Sequence, residues 1–519
     1  MIKPAFSTLF LSLFFGISTL PAQSSFEILS ETEIGTQEEY LPGPYLGKQN
    51  GNYYYLNVTD EIPSYKPIPL ESDNIRLIRY NPSRSQLTAE AIDFQDLGGN
   101  YLPRAFTYQN RAFFSARFPK QNESGSVRAE VELSYQGEVL DTIEVIETIE
   151  DRNGKKYGYD PYPADVRIYS YESQSNGVVM NFMTQQASNS KDLTRVFIGG
   201  FNAVRGEVIK TDFRINHPFR SVSITQARVD DQGTSFFLVK LYDKNRIEVV
   251  KSKGEFIQGY KTYIYRVQAN GTTDRVRVFD GRALTRDHFM QLDWEGNLIY
   301  VNTHYPDRDY KELVRMQFTR IDAESLEILV SEKMRFKSEH FPNEERSEYT
   351  GRTNSLSARS TLVNVIPTRN GDAYILFGTD LKITGSRPTG RKIEVVFVNG
   401  GDATIDWVNI AHGPWYSAVQ IQPIVVNNKL HILLCGTEER FEEDPEEKGL
   451  SIGFDAVYQL GVLSIDPEGY MELETILDPE RGYTNFAHCY YVGKGEWTVR
   501  TEHDYEGETL YYLTTFRMK

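Results

Sequence analysis

One unit recurs along this chain: four short apolar runs, joined in pairs by tight polar turns. It is plainest between Arg286 and Phe336, which contains HFMQLDWEGNLIYVNTHY and then, past a polar gap, LVRMQFTRIDAESLEILVSEKMRF. The first two runs flank Asp293-Trp294-Glu295-Gly296-Asn297, and the next two flank Ile321-Asp322-Ala323-Glu324-Ser325. Alternating apolar residues broken by Gly, Asn, Asp and Ser mark strands joined by hairpins. A four-stranded unit of this kind cannot bury both of its faces alone, so a chain that repeats it must stack the copies.

Copies run from about Tyr40 to Phe94, Tyr101 to Ile149, Asp165 to Ile215, Ser221 to Asp280, Arg286 to Phe336, Ser360 to Ile410, Ser417 to Leu477 and Asn485 to Met518. Turn residues that tolerate positive φ punctuate them, among them Gln109-Asn110, Gln136-Gly137, Asn270-Gly271 and Asn427-Asn428. The expected fold is all-β, a β-propeller of eight four-stranded blades. Phe26–Ile34 (FEILSETEI) is a strand with no hairpin partner, and the last unit lacks its fourth strand. If the N-terminal strand completes the last blade, both edges are satisfied at once. Seven blades, with one pair of hairpins misassigned, is the second reading of the pattern, and a β-sandwich assembly the third. Residues 23–519 then make a single propeller domain with long polar insertions near 337–354 and 438–448.

Composition agrees with a large β core. The chain has 519 residues, of which 40% are hydrophobic and 13% aromatic, enough to exclude wholesale disorder. Its formal charge of −16 sets it against nucleic acid and anionic lipid as partners. Met1–Ala22 has one cation, an apolar stretch and a small-residue end, the layout of a secretory signal peptide. The expectation is export to the periplasm or the exterior after cleavage, with no transmembrane segment in the mature chain. Cys435 and Cys489, the only cysteines, both sit in apolar strand runs, where Cys usually behaves as a small hydrophobe.

With these blades in view, the strand plan resembles that of β-propellers of the WD40-like and quinoprotein-like groups. The resemblance implies architecture only: a ring of blades whose inner strands surround a channel. No repeated Trp-Asp ending is present, nor any S-x-D-x-G-x-x-W box. The Gly-Gly pairs at 98–99, 199–200 and 400–401 do not stand where kelch repeats place theirs. No family's site residues transfer.

Candidates are therefore ranked by position. Loops between second and third strands, and between blades, crowd one face of a propeller and are the expected place for a ligand. Thr303–Tyr310 (THYPDRDY) offers His304, Asp307 and Asp309 as metal-ligand types, with Tyr305 and Arg308 suited to a sugar or a carboxylate. His503, in Glu502-His503-Asp504-Tyr505, is the counterpart in the eighth unit. His288 and His488 fall in inner strands, facing a channel or filling the space between blades. Arg104, Arg220 and Arg359 stand near the starts of inner strands two, four and six, where they would grip a carboxylate or pair with neighbouring acids. Trp415 and Tyr416 open inner strand seven, as a stacking surface or a plug.

Catalytic motifs are missing: no G-x-S-x-G, no HExxH and no phosphate-cradling loop occurs. The expected function is an exported, non-catalytic propeller that binds a glycan, a peptide or an envelope protein through one face. It needs no cofactor. The alternative is a metal-assisted hydrolase or lyase of an acidic polysaccharide, with His288, His304, Asp307 and Arg359 as its polar centre.

Overall fold

The computed structural model describes residues 24–35, 41–58, 68–94, 97–119, 126–146, 149–150, 156–157, 166–173, 177–185, 193–218, 221–242, 260–281, 285–304, 312–313, 315–341, 356–357, 360–379, 382–384, 387–416, 423–436, 459–476, 483–505 and 508–519. They are strand and turn throughout, with a 3-10 turn at Ser338–His340 and no α-helix. The leader, most of the 337–354 insertion and all of 438–448 lie outside them.

The protein is an eight-bladed β-propeller. Blade one is Tyr45–Gln49, Asn52–Val58, Ile75–Asn81 and Gln86–Ala91, counted from the axis outward. Blade two is Asn100–Tyr108, Arg111–Pro119, Ser126–Leu133 and Val139–Ile146, with Ile68–Pro69 added at its inner edge. Blade three is Val166–Ser173, Val178–Gln185, Leu193–Asn202 and Glu207–Pro218, and blade four is Val222–Val229, Ser235–Tyr242, Tyr260–Val267 and Thr273–Gly281. Blade five is Thr285–Leu292, Leu298–His304, Arg315–Ile321 and Ile328–Arg335. Blade six is Ser360–Pro367, Ala373–Thr379, Arg387–Asn399 and Thr404–Tyr416, and blade seven is Ile424–Val426, Lys429–Gly436, Gln459–Ile465 and Met471–Thr475. Blade eight is Tyr483–Gly493, Glu496–Tyr505, Glu508–Met518 and, as its outermost strand, Phe26–Gly35 from the other end of the chain.

Position within a blade explains the patterning of each strand. Second strands are covered on both faces by neighbouring blades, so they read as apolar runs without alternation. Ser235–Tyr242 is buried at every residue, and NYYYLNV at Asn52–Val58 at its five central ones. Outer strands are half solvated: in Ile328–Arg335 only Met334 is buried. Eight buried apolar clusters among the described residues fall one to each seam between neighbouring blades. The eighth joins Tyr53, Tyr55, Ile78 and Tyr80 of blade one to Leu513 of blade eight, which closes the ring.

Five of the hairpins use the same local device. At Ser134, Asp230, Gln268, Asp293 and Asp466, the residue three places on is a glycine whose N–H donates back to the first carbonyl. Those glycines, 137, 233, 271, 296 and 469, all have φ between 83° and 91°, a region only Gly occupies freely. Ser134, Asp230, Asp293 and Asp466 also accept a backbone N–H inside the turn through their side chains. Asn and Gln take the two-residue turns instead, with φ of 45° and 64° at Gln109-Asn110 and 52° and 64° at Asn427-Asn428.

Inner strands are edge strands, whose outward N–H groups need partners. Side chains of the preceding blade supply some of them. Gln226 Oε1 accepts from Met290 N at 2.6 Å, and Asp287 Oδ2 from Leu362 N at 3.1 Å.

Two expected placements change. Trp415 and Tyr416 do not open inner strand seven but complete the outer strand of blade six, opposite Gly390 and Thr389. Gly413-Pro414 reads as a turn in sequence, yet it spans a shift in the ladder, and a bulge tolerates a residue without an N–H. Tyr416 then pairs with Cys435, joining blades six and seven in one sheet. His503 falls within the second strand of blade eight, paired with Leu510, because the ladder runs on to Tyr505 and leaves little loop.

One carboxylate helps to fasten the ring. Glu496 of blade eight accepts from Lys48 Nζ and Tyr53 OH of blade one, each at 3.0 Å, and from Arg517 Nε at 3.2 Å. Burial alone would raise its carboxyl, but the bonds from Arg517 and Lys48 hold it below the usual Glu value. Stabilisation from this group is therefore complete above about pH 4.5 and is lost as pH falls through its lower native value. His431, buried in blade seven against Ser464 Oγ at 2.9 Å, has its pKa lowered to about 4 by burial. Its contribution is lost earlier, as pH falls from about 6.5 toward 4. A melting profile against pH should show both losses. His431→Asn should flatten the first. Glu496→Gln should cost about 1 kcal/mol at pH 7, because Lys48 and Arg517 lose a counter-charge but stay hydrated at 40% and 45% exposure; an unchanged melting temperature would contradict this account of closure.

Candidate binding face

Antiparallel blades sort their connections by direction. Turns between strands one and two, and three and four, lie on one face; the remaining loops and the blade-to-blade links lie on the other. The sequence places its candidates on the second, and much of that face falls outside the described residues. Tyr305, Asp307, Arg308, Arg220 and Arg359 lie outside them, and His304, the last residue of its strand, is described in its backbone alone. Arg104 sits in inner strand two where the ladder shifts between Tyr101 and Ala105. His503, Trp415 and Tyr416 have the strand positions given above.

His288 lies within the described residues, side chain included. It lies in inner strand five, buried in the seam with blade four. Its Nδ1 is 2.6 Å from Tyr300 OH and its Nε2 is 3.4 Å from Tyr260 OH, with Phe279 edge-on at 6.2 Å. Asn302 Nδ2 donates to the Tyr300 oxygen at 3.0 Å. Burial pushes the Tyr300 phenol well up, so it stays protonated. The ammonium of buried Lys240 stands 5.2 Å from the Tyr260 ring. In this arrangement His288 serves as a polar tie between two blades.

The hairpin face is built differently. All eight exposed large apolar side chains among the described residues belong to it: Ile28, Leu140, Val204, Val208, Trp294, Ile328, Leu329 and Tyr470. Each lies in a hairpin or within a few residues of the hairpin end of its strand. Trp294 belongs to an inner hairpin and is 68% exposed. Its Nε1 nonetheless donates to Pro367 O of blade six at 3.0 Å, which fixes the indole across a seam. The turn beneath it is tied down by Arg320, whose Nε reaches Asp293 Oδ2 at 2.9 Å and whose Nη2 reaches Glu295 Oε2 at 2.6 Å. Gly371 of the next hairpin has φ of 79°, and a Cβ there would lie 2.5 Å from Arg320 Nη1. A bare glycine thus lets the two hairpins close around one guanidinium.

Ranking by loop position overlooks this face. A readable signal was present: a tryptophan at the second place of a tight hairpin has no core within reach. Cys489 is a free thiol in inner strand eight whose pKa burial pushes up, which makes it unreactive. Among the described residues no three His, Cys, Asp or Glu side chains are grouped to hold a metal ion, and no helix is long and apolar enough to cross a membrane.

No known family model matches the chain, and no curated protein matches it in sequence. Solved structures similar in strand plan include the polysaccharide lyase Uly1, at 10% identity and a TM-score of 0.38, over 95% of this chain and all of that one. The WD40 domain of SCAP from fission yeast is similar at 8% identity and a TM-score of 0.36, over 95% and 98% of the two chains. A Trypanosoma rangeli sialidase is similar at 14% identity and a TM-score of 0.32, over 80% of this chain and 59% of that one.

His288→Ala removes a ring and two phenol contacts from a packed seam. It should destabilise by about 2–4 kcal/mol, read as a lower denaturant midpoint. A variant as stable as the parent would mean that His288 is not a structural tie.

Proposed function

We propose that this chain is an exported, non-catalytic ring that holds a glycan, a peptide or an envelope protein against its hairpin face. The observation that supports the reading is the exposed aromatic side chains at the turns of this face, Trp294 at 68% and Tyr470 at 74% exposure. The turns that carry them are rigid, being locked by backbone bonds and by side-chain oxygens, so little order has to be gained on binding. Export rests on the leader pattern of Met1–Ala22.

The test is thermal melting of residues 23–519 against mixed-linkage β-glucan, xyloglucan, chitohexaose, hyaluronan and polygalacturonate, with and without Ca²⁺. A ligand at 100 times its dissociation constant adds about 2.7 kcal/mol of stability. The expected result is a rise with at least one of them, independent of metal and without formation of reducing or unsaturated ends. A variant with Leu140→Asp, Val204→Asp, Leu329→Asp and Tyr470→Asp should then bind at least tenfold more weakly. New chain ends would make the protein an enzyme, and full binding by the fourfold variant would move the site to the other face.

A further inference from the structure

We infer that Trp294, with the adjoining hairpins of blades five and six, forms a subsite for one ring of a neutral hexopyranose chain. The inference rests on the hairpin-face reading and specifies the ligand it would take there. Three features narrow the choice.

The first is the state of the indole. Its only donor is already committed to Pro367 O, at 3.0 Å, so what it offers is an apolar face held in one orientation. A flat, immobile ring face suits a partner that is itself a flat apolar face edged with hydroxyls, as a pyranose is. A helix or strand of a protein partner would need a wider apolar area than a single indole.

The second is the polar rim. Glu295, next to Trp294 in the same turn, has a half-exposed carboxylate held in place by the mostly buried Arg320, their oxygen and nitrogen 2.6 Å apart. Arg369 and Asn370, both exposed, follow Pro367 and buried Thr368 in the next hairpin. The Glu295 carboxylate, the Arg369 guanidinium and the Asn370 carboxamide offer the acceptors and donors that hydroxyls need.

The third is charge. Asp293, Glu295 and Asp372 outnumber Arg320 and Arg369 around these two hairpins, and Asp402 and Asp406 lie near Asp372. Burial raises the Asp406 carboxyl, and the nearby Asp372 and Asp402 carboxylates add to that. A uronate or sulfate would meet repulsion here, whereas a neutral sugar would not.

The experiment is affinity electrophoresis of the whole mature chain in gels cast with xyloglucan or mixed-linkage β-glucan, and with hyaluronan as the acidic comparison. Intrinsic tryptophan emission is followed in parallel. Wild type should be retarded by a neutral polymer and not by hyaluronan, with a blue-shifted emission that is less quenched by acrylamide. Trp294→Ala should lose at least tenfold in affinity and also lose the spectral change, while Trp294→Phe should stay within a few-fold of wild type. Unchanged melting of both variants shows that the fold is intact. Retention by Trp294→Ala equal to wild type overturns the subsite, and so does preferential retention by hyaluronan or no retention by either neutral polymer. Loss of binding in the fourfold Asp variant but not in Trp294→Ala would overturn the subsite and leave the face reading standing.

Discussion

Everything in this molecule depends on the ring being closed, and closure is made by chain ends far apart in sequence. Phe26–Gly35 pairs along Glu508–Met518, from Phe26 opposite Met518 to Gly35 opposite Tyr511. The backbone N–H of Lys519 donates to Ser25 O at 2.9 Å. Without that strand, Glu508–Met518 would present an open edge, and the seam between blades eight and one would lose Ile34 from its packing. A propeller with one unmade seam exposes two apolar faces, so the cost of opening is concentrated at this junction.

The chemistry of that junction differs from that of the other seams. Leu, Val, Ile and Phe dominate the cluster between blades five and six. Between eight and one, Tyr53, Tyr55 and Tyr80 do the packing, and the hydroxyls of Tyr53 and Tyr80 reach polar partners. Tyr80 OH lies 2.8 Å from Thr32 Oγ1 and 3.0 Å from Ser30 Oγ of the closing strand. Tyrosine combines area with a directional bond, so it can fix the register of a strand that no hairpin turn constrains. A wholly aliphatic seam would tolerate a slipped strand more readily. Closure also reaches blade seven, where Ser25 N donates to Glu474 Oε2 at 2.9 Å.

A rigid ring holds its short hairpins in fixed positions. The turn at Asp293–Asn297 is held by its own backbone bonds, by the Asp293 carboxylate and by Arg320. Its exposed indole is secured by a carbonyl of the neighbouring blade. The same relation recurs one blade on, where Trp407 Nε1 donates to Pro467 O at 2.9 Å, but there the indole is buried. Two tryptophans thus bridge successive seams by the same bond. What separates them is position: Trp407 lies within a strand packed by the next blade, and Trp294 sits at the tip of a turn.

The architecture was legible in sequence because its causes are local. Alternation along SEKMRF or IRLIRYN, glycine three places after Asp293 or Asp466, and Asn pairs at two-residue turns act over a few residues. They set strand, turn and repeat, and the unmatched strand at each end pointed to closure. Trp415 was misplaced because Gly-Pro resembles a turn until a facing strand supplies a bulge to hold it. The bonds of His288 were not legible, since Tyr260 and Tyr300 become its partners only when blades four and five stack. Nor was the pose of Trp294, whose partner Pro367 is 73 residues away in sequence. Sequence alone determined that this chain folds as stacked four-stranded β units closed by its own N-terminal strand. Tertiary structure alone decided which side chains are spent on the seams and which stay exposed on the hairpins, because contacts between blades join residues whose separation no local pattern records.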